Sequence, residues 1–396
     1  MSKRFLEFIG VLVVLVVVTL LLKLAPVPVA GQAGGAVVAT AWGEPDLQGI
    51  WTTIYDTPLQ RPARFADQEF FTNEERAELD RERATINYRS PRSDRGSEQD
   101  VGGAYDRSTF FSYKHTGRRT SLIVDPPDGR VPPLTSEAQE RRDDLREYQL
   151  ALLQATDTCK NDMLRCAGGR YGPPSPRRTE TPPHYLTSAV NRADGPEDRS
   201  LGERCMSARL PDFGSIAGFF LQIVQSPGTV SIFYDTGQGQ GWQRVIPVTE
   251  RPHLPSQVRQ WWGDSRGRWE GETLVVDVTN FSPKTDIQGS RENLHLVERW
   301  TRSDAETIEY VVTMEDPTTW TRPWTVALEL TQQSNQANRI YKEPRCHEGN
   351  YGLPGLLAGG RAQERAFAEG RGPDPATTCT AGCGSGFDGE NRDPLR

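Results

Sequence analysis

Several signatures of common enzyme classes are missing from this 396-residue chain. It has no P-loop, and no dinucleotide fingerprint set between a strand and a helix, which removes the usual nucleotide-phosphate and Rossmann readings. Gly237-Gln238-Gly239-Gln240-Gly241 is glycine-rich, but it lacks the strand-to-helix setting of a phosphate loop and reads as a hairpin loop. There is no C-x-x-C pair, and Asp277, His295, Glu298 and His347 match no zinc-ligand spacing, so no metal and no other cofactor is expected. Basic excess is lacking too: the formal net charge is −7. That balance disfavours nucleic acid and anionic membrane surfaces as partners. No internal repeat is visible.

Only one long apolar run exists, from Phe8 to Leu22, interrupted by Gly10 and Thr19. It falls short of the ~20 apolar residues of a membrane span. Lys3 and Arg4 precede it, and Lys23, Pro26, Pro28 and Ala30 follow. A basic start, an apolar middle and a small-residue end describe a secretory signal peptide over residues 1–30, cleaved after Ala30 or Ala33. An uncleaved membrane anchor is the alternative. Removing residues 1–30, which carry a net +2, takes the charge from −7 to −9. The chain is therefore expected to be periplasmic or extracellular, touching a membrane only through this segment.

Six cysteines are present: Cys159, Cys166, Cys205, Cys346, Cys379 and Cys383. An even number in an oxidising compartment predicts disulfides, and six cysteines allow fifteen pairings. Proximity favours Cys159–Cys166 and Cys379–Cys383, with Cys205–Cys346 as the third.

With 29 prolines and 37 glycines, turns should be many and long helices few. Thr72 and Glu75 form a capping box for a charged helix reaching about Thr85. Ser136 with Gln139 caps a second helix, and a third covers residues 354–369. A short strand is predicted over Thr120–Val124. From Gly218 onward, β-branched and aromatic runs recur: Thr229–Tyr234, Leu274–Thr279, His295–Arg302, Thr307–Met314 and Thr325–Thr331. Their spacing leaves no room for intervening helices, so the strands are antiparallel neighbours. The fold class is mainly β, an antiparallel meander closed as a barrel over 200–366. Helices and loops of 31–199 wrap it, and a disordered tail covers 367–396.

Four stretches carry candidate chemistry. Asp264 and Arg266 lie in a charged segment, Asp264–Gly271, which reads either as a solvated hairpin or as a rim binding a polar ligand. On a strand, alternate residues share a face. His295, Val297 and Arg299 therefore face one way, and Leu296, Glu298 and Trp300 the other. A strand polar on both sides fits a barrel whose inner face meets a ligand. Asp316 follows a strand beside Trp320 and Trp324, and carboxylates near aromatic surfaces can work as acid or base. The plainer reading is a turn whose tryptophans close the barrel end. His347 adjoins Cys346 and would be fixed by its disulfide.

Trp42–Trp51, Arg119–Thr135, Leu201–Cys205, Trp262–Phe281, Asn293–Arg302, Glu315–Thr325 and Cys346–Gly352 together resemble a large family of uncharacterised secreted proteins of environmental bacteria. The likeness spans most of residues 42–366. It implies a lipocalin-like barrel by analogy of fold, and no activity. Members of that family carry a His-Asp pair before the step matching Ile246-Pro247. Here Asp235–Gln243 holds no histidine, so any chemistry resting on that pair is altered or lost.

Two functions follow. The first is binding of a small organic molecule, carbohydrate or lipid, in a barrel interior lined by Trp261, Trp262, Trp300, Trp320 and Trp324, with Asp264, Arg266 and Arg299 as polar contacts. The second is a periplasmic hydrolase, lyase or isomerase using Glu298 or Asp316 with His295 or His347. A carboxylate and a histidine meeting within about 3 Å inside the barrel favour the enzyme. Histidines outside an aromatic interior favour binding.

Overall fold

The computed structural model describes residues 39–88, 114–162, 166–185, 191–199, 204–206, 210–213, 220–237, 240–333, 347 and 351–378. The N-terminal apolar segment lies outside them. Among the described residues no helix is long and apolar enough to cross a membrane.

Alternation of apolar and polar residues produces the strands. They are β1 (Gly49–Thr52), β2 (Tyr55–Asp56), β3 (His115–Thr116), β4 (Ile123–Asp125), β5 (Phe220–Ser226), β6 (Thr229–Gly237), β7 (Gln240–Pro247) and β8 (Asp264–Glu270). β9 (Thr273–Thr279), β10 (His295–Arg302), β11 (Thr307–Glu315) and β12 (Trp324–Gln333) complete them. Ten form one sheet in the order β7-β6-β5-β1-β12-β11-β10-β9-β8, with β4 also on β12. β2 and β3 make a separate parallel pair.

β5–β7 and β8–β12 are each a run of sequential hairpins. Gly271, at φ +61°, makes the tight turn between β8 and β9, where a side chain would be strained. The two runs are joined by β1, which pairs antiparallel with both β5 and β12. Two strands of the sheet thus come from before residue 200.

The expected closed barrel is not formed. The sheet curls, but no hydrogen-bonded ladder joins its rims, β7 and β8. They meet at a single parallel bridge between Val248 and Gly267, where the Thr249 amide donates to the Gly267 carbonyl at 2.9 Å. Gly267 permits that approach, since a Cβ there would stand 3.0 Å from Ile246 Cγ2. The inner face holds the core. A row of bulky side chains, Trp51, Leu221, Tyr234 and Trp242, runs across β1, β5, β6 and β7 in register. Leu274, Val276, Leu296, Trp300, Tyr310, Val312, Val326 and Leu328 pack against it from the other half.

Helix α1 (Asn73–Tyr88) begins with the expected capping box: the Glu75 amide donates to Thr72 Oγ1 at 3.2 Å, and the Thr72 amide to Glu75 Oε2 at 2.7 Å. Helix α2 (Ser136–Leu153) is capped by Thr135 rather than Ser136, because Thr135 Oγ1 accepts from the Ala138 amide at 3.2 Å. Tyr148, Leu152 and Leu153 of α2 form a satellite core with Cys159 and Cys166. Those cysteines are bridged, joining the short helix α3 (Asp157–Lys160) to the residues after it. Cys205 is also disulfide-bonded, while Cys346, Cys379 and Cys383 lie outside the described residues. Helix α4 (Gly352–Ala368) is followed by an ordered stretch rather than a tail: Ala376 is buried, and its carbonyl accepts from Asn191 Nδ2 at 3.1 Å. Residues 379–396 lie outside the described set.

Candidate functional site

Every second residue of β10 is buried, so the strand sorts its side chains as alternation predicts: Glu298 and Trp300 face inward, His295 and Arg299 outward. Two separate polar clusters result.

The inner cluster is built on Glu298, which is wholly buried. Arg244 of β7 reaches it across the curled sheet, with Nη2 at 2.5 Å from Oε2 and Nη1 at 3.1 Å from Oε1. Tyr310 donates its hydroxyl to Glu298 Oε1 at 2.7 Å. Arg244 Nε donates to Ser265 Oγ on β8 at 3.0 Å, and Nη1 lies 3.4 Å from the Tyr234 hydroxyl. Burial pulls the Arg244 guanidinium down, but the facing Glu298 carboxylate pushes it up and prevails. Burial raises both tyrosines above the usual phenol range, with Glu298 adding to the effect. Tyr234 stacks on Trp242 at 4.2 Å and 5°, while Tyr310 packs against Trp300 at 4.2 Å with its ring tilted by 43°. Trp262, half-buried just before β8, stacks in turn on Trp242 at 4.4 Å. This aromatic column runs from the unpaired rims to the ion pair.

The outer cluster lies on the opposite face of the sheet. Asp277 of β9 accepts from two histidines, His295 Nε2 at 2.9 Å and His253 Nε2 at 2.7 Å. His253 Nδ1 is 2.9 Å from Asp264 Oδ2, which also accepts the Leu254 amide at 3.0 Å. Arg266 Nη1 holds Asp264 Oδ1 at 2.7 Å, and Glu315 Oε2 lies 3.7 Å from His295 Nδ1. The bond from His295 holds the Asp277 carboxyl below its usual range, and the same bond raises His295 despite partial burial.

The candidates named from sequence are therefore divided. Glu298 and His295 do not share a cavity; they are on opposite faces, and the histidine's carboxylate partner is Asp277. Asp316 is a turn anchor: buried, it accepts from Ser290 Oγ, Thr319 Oγ1, Thr318 Oγ1 and the Thr318 amide at 2.6–2.9 Å. Trp320 and Trp324 are buried and meet each other edge to face at 5.4 Å, but they close no barrel end, since no barrel is formed. Arg299 pairs with Glu270 at 3.0 Å on the outer surface. Asp264 and Arg266 support the outer cluster, and Trp262 and Trp300 belong to the inner one. His347 is exposed in the connection after β12, with both its neighbours outside the described residues. Among the described residues no group of three or more acidic, histidine or cysteine side chains is arranged to hold a metal ion.

Sequence reading missed His253, Arg244, Tyr234 and Tyr310 as site residues. Arg244 was findable, since it interrupts the inward stripe Trp242-Arg244-Ile246. His253 sits between Pro252 and Pro255, outside any periodic pattern.

No family model and no curated protein matches this chain. Parts of it are similar to solved structures. A secretary abundant heat soluble protein from Ramazzottius varieornatus is 10% identical over 32% of this chain and 77% of its own, with a TM-score of 0.22. Lipid binding protein 8 from Caenorhabditis elegans is 8% identical over 29% and 71%, with a TM-score of 0.19. A variant of the fluorescent protein UnaG is 16% identical over 31% and 78%, with a TM-score of 0.20. Likeness at these scores carries no argument, and the fold rests on its own strand order.

Proposed function

We propose that this is an exported protein that binds a small organic molecule against the inner face of its curled sheet. The observation supporting this most directly is the aromatic column Trp262–Trp242–Tyr234, which leads from the rims, joined only by the Val248–Gly267 bridge, to a buried ion pair. An apolar wall with a few convergent polar groups is the usual make-up of a ligand site. Burying Arg244 and Glu298 is costly, and apolar replacements of similar volume would often be no worse for stability. Their presence is the more telling for that reason.

Nile red, a neutral apolar dye, tests this. Its emission should brighten and shift to the blue on binding the native protein. Trp262→Ala, which removes the outermost ring, should weaken that binding several-fold without lowering the melting temperature by more than a few degrees. Unchanged dye emission with the native protein, together with no stabilising compound in a thermal-shift screen, would overturn the reading.

One observation favours a second reading, a hydrolase, lyase or isomerase working on the outer face. Asp277 orients His295 at 2.9 Å, as a general base requires. Loss of any turnover in both Asp277→Asn and His295→Gln would support it; turnover surviving both would exclude it.

A further inference from the structure

The inner cluster leaves some of its polar groups satisfied and others not, and this bears on what it can bind. Glu298 accepts three hydrogen bonds, two from Arg244 and one from Tyr310. Arg244 donates to Glu298, Ser265 and Tyr234. The two charges therefore cancel each other within the protein, and neither is open to a counter-ion. The indole N–H groups of Trp242 and Trp300 differ. Both are buried, at 5% and 2% exposure, and neither has an acceptor among the described residues. Buried donors in folded proteins are almost always paired, and each exception calls for an explanation. These two flank the same ion pair: Trp242 through Tyr234, Trp300 through Tyr310. Beside them, the rings of Tyr234, Trp242 and Trp262 lie nearly parallel, at 5° and 20°. That geometry suits a further flat ring in offset stacking.

We infer that the ligand is a neutral, planar aromatic molecule bearing carbonyl or ether oxygens, which stacks on the tryptophan column and accepts hydrogen bonds from the Trp242 and Trp300 indoles. This rests on the binding reading above and narrows it. An anionic fatty acid would find no open cation, because Arg244 is held by Glu298. A sugar could accept from the two indoles, but most of its own hydroxyl protons would find no acceptor there, the Glu298 carboxylate being engaged by Arg244 and Tyr310.

The test uses three probes with the whole chain: flavone, palmitate and cellobiose. Binding is followed by quenching of tryptophan emission and by calorimetry. Flavone should bind at least tenfold more tightly than either of the others. Trp242→Phe and Trp300→Phe keep a stacking ring and remove only the N–H. Each should weaken flavone binding about three- to tenfold, the worth of one hydrogen bond, while leaving the unfolding midpoint near that of the parent. Trp320→Phe also removes a buried, unpaired indole N–H, but one at the Asp316 turn, and should leave flavone binding unchanged. Tighter binding of palmitate or cellobiose would overturn the ligand class and leave the binding reading standing. Flavone affinity indifferent to both Phe substitutions would overturn the assigned donors. No binding of any probe, with Nile red also unaffected, would overturn both.

Discussion

Glu298 illustrates how a single buried charge constrains its neighbours. Its carboxylate is fully enclosed, so Glu298→Gln removes the partner of a buried guanidinium. Leaving one buried charge uncompensated typically costs about 3–5 kcal/mol. Chemical denaturation should show a loss of that size for Glu298→Gln and for Arg244→Met. The double variant Arg244→Met/Glu298→Leu should be less destabilised than either single change, since no charge is left alone. The outer pair behaves differently because water reaches it. His295 is raised in the folded state, so its contribution is complete below its ordinary value near 6.5 and fades as pH rises through the raised one. Asp277 is lowered, so its contribution is present above its ordinary value near 3.8 and fades as pH falls through the lowered one. The His295–Asp277 pair should therefore stabilise most between about pH 4 and 6.5. Melting curves across pH 3–9 should lose that maximum in Asp277→Asn. The division of His295 from Glu298 was legible in sequence, because period two on a strand requires it. Their partners were not legible, since Arg244 and Asp277 reach them through the curl of the sheet and no local pattern encodes that.

At the level of elements, local signals succeeded where the chain repeats itself. The capping box of α1 and the alternation of β6 and β9–β12 are visible in short windows. Thr72→Ala should fray the start of α1 and cost about 1 kcal/mol, read as increased amide exchange over residues 73–76. The misplaced cap of α2 shows the limit. Thr135 and Ser136 are chemically interchangeable as caps, and only docking decides between them: the Thr135 amide donates to the Thr319 carbonyl at 2.9 Å, pinning that residue in an extended conformation. β1 and β4 have four and three residues, too few for a period to declare itself. The connection over 248–263 was equally opaque, yet it is well anchored. Asn280 Nδ2 donates to the Leu254 carbonyl at 2.8 Å, and the Gln260 amide donates to the Asn280 carbonyl at 2.9 Å.

For the whole molecule, β1 matters out of proportion to its length. It is the piece that joins β5–β7 to β8–β12, so a fragment covering 200–378 contains most of the strands but not their seam. Expressed alone, that fragment should lack a cooperative unfolding transition, and addition of a peptide spanning 39–60 should restore it in part. A cooperative melt of the fragment alone would show that the two hairpin runs associate without β1.

The incompletely joined rims have a cost beyond ligand access. β7 and β8 keep backbone donors and acceptors that no ladder occupies, and such strands are templates for pairing with another chain. What shields them is largely side chains: Trp262 over Trp242, Arg244 tied to Ser265, and the short bridge at Gly267. Conditions that loosen these contacts before the core melts should lead this protein to oligomerise edge to edge, with fibre formation preceding unfolding.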